Sequence, residues 1–258
     1  MNQALSLNSR PITLRNLPKG RIRDFDGWFT ATQGVSTVSS AVSQWDNLVP
    51  GGANLSQPIA AQRPALSEIN GLTALDFDGE TGGKGANSDN VEGGLNMMDG
   101  IGTGDFYIAF VLAGDAVAGT PATQVLFSKM EGGLSLTRFE CRFGNTRFSI
   151  HNGSSTLAAS ATGQLVEGQT TLVEFHRLNG TLQIFKNGTS IASESDSTDI
   201  TASSVVTIGK GTQNPFNGQI GEFICKAGTV PVKTRQVIEA LMATKWNIGA
   251  ARTANARG

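Results

Sequence analysis

The sequence predicts an all-β chain, two antiparallel sheets stacked as a sandwich and closed by one short C-terminal helix. Three observations point there. From Trp28 onward, short apolar runs alternate with loops rich in Gly, Asn and Ser. Within the runs apolar residues recur every second position, the period of a strand, and no helical spacing occurs before residue 234. Glycine fills 32 of 258 positions with only 8 prolines, a surplus over the usual ~7% that implies many tight turns without a collagen-like repeat. A parallel α/β sheet would need crossover helices that the chain lacks.

Residues 1–24 hold Arg10, Arg15, Lys19, Arg21 and Arg23 against the single acid Asp24, with two prolines and no periodicity. Such a segment is either an extended arm that docks on an acidic partner or a solvated leader. The domain itself is expected over 25–249. Its clearest strand is Asp105 to Leu112, with Phe106, Ile108, Phe110 and Leu112 on one face and Tyr107, Ala109 and Val111 on the other. Both faces are apolar, which predicts a central strand. Residues 138–143 place Phe139, Cys141 and Phe143 opposite Arg138, Glu140 and Arg142; Gly144-Asn145 then turns the chain into Arg147–Ile150, with His151 on the arginine side. Asn179-Gly180 separates two further runs, and Asn187-Gly188 repeats the signal; both suit the positive φ of a type I′ hairpin turn. The hairpin pattern continues through Val205–Ile208 and Gln219–Cys225, as in a meander or jelly roll. Val237, Ile238, Leu241, Met242 and Trp246 then recur at helical spacing. They predict a closing helix over 234–247, with Thr234 as N-cap, Gly249 as stop, and Arg235 and Glu239 on its wet side. Residues 250–258 form a short basic tail.

Charge and composition narrow the function. With 20 Lys+Arg against 21 Asp+Glu, no global field draws the protein to nucleic acid or an anionic bilayer. No run reaches the ~18 apolar residues of a spanning helix, and the N-terminus lacks the layout of a secretory signal. Cys141 and Cys225 are too few for a disulfide scaffold or a zinc site and are expected to be buried free thiols.

Candidate chemistry is sparse. His151 and His176 lie on different predicted strands without cysteine or carboxylate at ligand spacing, so neither zinc catalysis nor a Ser/His/Asp triad is indicated. Gly82 to Gly85 (GGKG) lacks the spacing and following helix of a phosphate loop. Glycoside hydrolysis needs two carboxyls, about 5–5.5 Å apart for retention. Asp76 and Asp78 share a strand face but lead into a glycine turn and are read as turn caps; Glu222 stands alone, and Glu174 faces along with His176 without a second acid nearby. Asn87-Ser88-Asp89-Asn90 with Asp99 could supply calcium ligands, though a plain polar loop is the simpler reading. The aromatics are few, and Trp28, Trp45 and Trp246 each sit in patterns that look packed.

Taken in order, several segments carry a resemblance. They are Asp26–Phe29, Val42–Asp46 with Arg63-Pro64, Leu75–Gly79, Gly104–Phe110, Lys186–Gly188, Phe216–Glu222 and the helix Arg235 to Trp246 running into Asn247-Ile248. Over residues 25–249 the chain resembles the laminin-G-like, concanavalin A-like jelly-roll domains of many tailed-phage and prophage structural proteins. The resemblance implies a two-sheet antiparallel jelly-roll sandwich with a short C-terminal helix, used for glycan or protein contact on a virion. The E-x-D-x-x-E run of related retaining glucanases and a legume-lectin-like metal loop are both missing. The expected function is a non-enzymatic virion structural or decoration protein without cofactor or metal, present in the host cytoplasm during assembly. Its partners would be capsid or tail proteins and further copies of itself, with Arg10, Arg15, Lys19, Arg21 and Arg23 as the anchoring residues. A polysaccharide-binding, lectin-like module is the alternative, and a jelly-roll glycoside hydrolase the third.

Overall fold

The computed structural model describes residues 21–79, 89–94, 96–115, 123–131, 136–144, 147–152, 155–200, 205–211 and 214–249, with side chains left undescribed at 21, 130–131 and 136–144. The front sheet runs in the order β15 (Thr189–Ser195), β14 (Thr181–Lys186), β13 (Thr171–Leu178), β8 (Phe106–Gly114) and β18 (Asn217–Ala227). β1 (Gly27–Thr30) and β6 (Leu72–Asp78) share the far side of β18, and β5 (Ala65–Ile69) lies outside β6. The back sheet runs β12 (Thr156–Ala159), β11 (Arg147–His151), β10 (Leu136–Gly144), β9 (Gln124–Glu131), β16 (Val206–Ile208), β7 (Val91–Gly93), β4 (Leu55–Ser56), β3 (Ala41–Trp45) and β2 (Val35–Val38). One bridge, Ala41 to Ala65, links the sheets at a corner, and the short β17 (Asn214–Pro215) lies parallel to β9. All other strand pairs among the described residues are antiparallel, and the expected all-β sandwich with a short C-terminal helix is the fold observed.

Period-two geometry explains why two cores form. On β8, Phe106, Ile108, Phe110 and Leu112 enter the core between the sheets, while Tyr107, Ala109, Val111 and Ala113 enter a second core on the outer face of the front sheet. β8 is buried at every position and lies between β13 and β18, the central place its sequence predicts. In the inner core Phe223 stacks on Phe110 at 4.9 Å and on Phe29 at 5.6 Å between ring centroids, packing of the offset type that aromatic pairs favour. Trp28, Trp45 and Trp246 are all buried, as is the free thiol of Cys225, which burial pushes well above its usual pKa. The predicted hairpin of 138–150 forms between β10 and β11; the side chain of Cys141 lies outside the described set.

The outer core is closed by α1 (Val232–Lys245), whose bounds and orientation both differ from expectation. Pro231, not Thr234, occupies the N-cap position, where its preset φ suits the entry. The stop is Asn247 rather than Gly249: its φ of 48° turns the chain left-handed, and the Ile248 amide donates to the carbonyl of Ala243, a Schellman closure. Arg235 and Glu239 are buried rather than wet, while Val232 (48% exposed) and Val237 (41%) face out. The cause is the sheet beneath. It offers the Glu174 carboxylate and the Phe185 ring, over which the Arg235 guanidinium lies at 3.8 Å, and these outweigh the apolar spacing.

Candidate functional site

The chemistry-bearing side chains converge on the seam between the front sheet and α1. A bulge at Gly221 in β18 shifts the register and turns Glu222 outward, opposite Thr30 of β1. The Glu222 carboxylate accepts hydrogen bonds from Trp28 Nε1 (2.8 Å), Trp246 Nε1 (2.7 Å) and Lys245 Nζ (2.7 Å), and Lys245 also donates to Thr30 Oγ1. The sequence reading left Glu222 alone; the fold instead gives it three donors from two elements. Such a fully partnered, charge-assisted cluster tolerates burial that an isolated carboxylate would not.

A second cluster lies further along α1. Tyr107 O–H donates to Glu174 Oε1 at 2.7 Å, Arg235 Nη1 contacts Glu174 Oε2 at 3.1 Å, and the same Nη1 pairs with Glu239. Glu174 therefore does have a second acid beside it, brought from 65 positions away in the chain only by the docking of α1. Burial, and then the Glu239 carboxyl, push Glu174 well above the usual carboxylate range, while Arg235 and the Tyr107 hydroxyl act against that rise. Burial likewise pushes Tyr107 up. His176, on the same face of β13, packs edge-on to Tyr107 at 5.8 Å, and neither ring nitrogen has a hydrogen-bond partner. Burial, reinforced by the Arg235 charge, lowers it to about 4, so it is a neutral imidazole near neutrality.

These carboxyls are sealed beneath α1 and are spent on holding it. The open feature nearby is a cavity of about 260 Å³ at the start of the helix, lined by Asp24, Phe25, Lys226, Thr229, Val230, Pro231 and Thr234. Lys226 Nζ lies 5.9 Å from the Phe25 ring centroid. The 3-10 turn Arg21–Asp24 lies at this place, with Arg23 exposed. Of the other residues expected to anchor the chain, Arg10, Arg15 and Lys19 lie outside the described residues, as does the side chain of Arg21.

The remaining candidates have structural partners. Asp76 accepts from Gln219 Nε2 at 2.8 Å, and Asp78 offers its backbone N–H to Asp89 Oδ2; the turn they lead into runs outside the described residues. Burial raises Asp89 to about 7, with the Asp78 charge adding to the effect. In the proposed calcium stretch, Asn90 Oδ1 accepts from Gln57 and Asp99 is paired with Lys129, while Asn87 and Ser88 lie outside the described residues. The Gly82–Gly85 loop also lies outside them. Among the described residues, no group of three or more His, Cys, Asp or Glu is placed to hold a metal ion, and no helix is long and apolar enough to cross a membrane.

No protein-family model matches the chain, and no curated protein matches its sequence. Solved structures do share its architecture. Trypanosoma rangeli sialidase in complex with sialic acid is 13% identical over 85% of this chain and 33% of that one, with a TM-score of 0.53. The binding domain of botulinum neurotoxin DC, in complex with rat synaptotagmin II, is 11% identical over 85% of this chain and 52% of its own, with a TM-score of 0.58. The botulinum neurotoxin serotype G binding domain gives 10%, 85%, 51% and 0.55. The chain thus spans about a third of the sialidase and about half of each toxin domain. What these likenesses show is the fold. The chain is a β-sandwich of this broad kind.

Proposed function

We propose that the chain is a non-enzymatic binding module that attaches to a protein surface, and in its finer form a virion structural or decoration protein anchored through its basic N-terminal segment. The observation that carries this reading is the disposition of the aromatic and acidic side chains. Every aromatic ring whose side chain is described is buried, which leaves no stacking platform for a sugar ring among those residues. Of the acid pairs the fold brings together, Glu174 with Glu239 is tied to Arg235 beneath α1, and Asp89 accepts the backbone N–H of Asp78. A rigid body with apolar residues such as Ile59 and Leu66 at its surface, and the basic turn Arg21–Asp24 beside Phe25, suits contact with protein. The test is co-sedimentation with assembled particles, comparing the full chain with one lacking residues 1–24. Loss of particle occupancy on truncation supports the arm as anchor; full occupancy without it removes that assignment.

A carbohydrate-binding module is the second reading, favoured by the shared fold with a sialidase solved in complex with sialic acid. A glycan array decides between them: a saturable signal for one glycan class would displace the protein-surface reading.

A further inference from the structure

We propose that two copies of this chain associate through the free edge of the back sheet, β2 of one pairing antiparallel with β2 of the other. The first observation is an anomaly in turn chemistry. Among the described residues, four two-residue hairpins have both central residues at positive φ: Asn70-Gly71 (51°, 77°), Asn179-Gly180 (50°, 72°), Asn187-Gly188 (47°, 76°) and, between β2 and β3, Ser39-Ser40 (52°, 69°). Three use the pair that this turn favours; the fourth places two serines where a Cβ is disfavoured. Local stability is forgone at that one tip, which is the pattern expected where a side chain serves a contact rather than the turn.

The second observation is an edge left unguarded. Among the described residues β2 pairs with β3 alone, and three of its four residues are exposed. The bonding of Val38 to Ala41 turns the N–H and C=O of Thr37 away from β3, toward the open side; Val42 opposite Thr37 likewise directs its own N–H away, to the carbonyl of Pro64. Natural edges are ordinarily blunted with Lys, Pro or inward charges. Here no charged residue occurs between Asp26 and Asp46. Val38 at the strand end is 51% exposed, and Ala65 and Leu66 (44%), reached through the Ala41–Ala65 bridge, extend the apolar rim.

Charge identifies the occupant. An isologous antiparallel pair sets each residue against the same strand of its mate, so a charged edge repels itself, whereas an uncharged one is self-complementary. About Thr37 as the two-fold point, the two threonines exchange N–H···O bonds, and the Val38 and Ser39-Ser40 tips flank them. The ladder is short, so the association is weak and concentration-dependent.

Sedimentation velocity over a concentration series tests this on the full chain. Wild type is expected to pass from monomer to dimer. Thr37→Pro, which removes the outward N–H, and Val38→Lys, which sets two charges against each other, are each expected to weaken dimerisation at least tenfold with the far-UV spectrum unchanged. The double change Ser39→Asn, Ser40→Gly separates contact from folding: it raises the melting temperature and still weakens the dimer. A wild type monomeric at the highest concentration, or a dimer indifferent to Thr37→Pro and Val38→Lys, overturns the proposal. Particle attachment is read in a different assay, so either result stands without the other.

Discussion

Replacing Glu222 by alanine removes the one acceptor shared by Trp28 Nε1, Trp246 Nε1 and Lys245 Nζ. Each buried donor left unmatched costs about 1–3 kcal/mol, and breaking one side of a buried charge cluster costs about 3–5 kcal/mol in all. Lys245 is half-buried and recovers part of its loss from water, so the lower part of that range applies. At about 2–4 °C per kcal/mol for a chain of this size, the midpoint should fall by about 10 °C. Thermal unfolding followed by far-UV circular dichroism measures the fall, and tryptophan fluorescence reports on the cage itself because two of the three indoles bond to this carboxylate. Glu222→Gln keeps one acceptor but turns an amide N–H₂ toward a donor, so it should lie between wild type and alanine. A midpoint within about 2 °C of wild type for Glu222→Ala would refute the reasoning, because α1 would then not depend on the carboxylate at all.

Other outcomes follow from the same structure. Gly221→Ala places a methyl within 2.4 Å of the Trp246 ring and should cost about 1–3 kcal/mol by overpacking, read in urea unfolding. Arg177 donates to the carbonyls of Gly102, Gly104 and Thr198 and pairs with Asp196; Arg177→Met should cost about 3–5 kcal/mol in the same assay, and a neutral result would show that these loops need no cation. Asp89 is raised to about 7 from an ordinary 3.8, so the cost of its charge is absent below about 4, grows as pH rises and is complete above about 7; Asp89→Asn should flatten that slope and gain stability at pH 8. His176 has the opposite sign. Lowered to about 4 from 6.5, it supports the fold fully above 6.5 and loses that contribution as pH falls toward 4, so the advantage of His176→Phe over wild type should grow across that window in urea midpoints taken at each pH.

Local pattern carried the strands well. β8 could be read from alternation because both sets of its side chains are apolar, and the Asn-Gly turns could be read because their φ preference is intrinsic. The orientation of α1 could not. Arg235 is an ordinary surface residue by helical spacing, and it turns inward only because Glu174, 61 positions earlier, waits on the sheet. Glu222 shows the same limit: alternation with Ile224 gives its face, but its donors come from both ends of the domain and no local pattern names them. The cavity beside Phe25 was likewise illegible, since its walls come from the start of the domain and from the entry to α1. A hint was present in the Glu222-x-Ile224 alternation beside Gly221, which placed a carboxylate on an otherwise apolar face. The serine pair at residues 39 and 40 carried no signal until its backbone angles were known.

The middle strands of the front sheet, β13, β8 and β18, have no wet side. Tyr107, Ala109, Val111, Leu172 and Ile224 form a plane shielded by α1, by the Phe25–Trp28 segment and by Val49 and Val230. A truncation before Val232 would therefore leave a broad greasy surface rather than a trimmed domain, and such a product should precipitate. For anyone building fusions or tags onto this protein, the fold needs the chain at least through Ile248, at the end of the Schellman closure, and not merely to the end of the final strand.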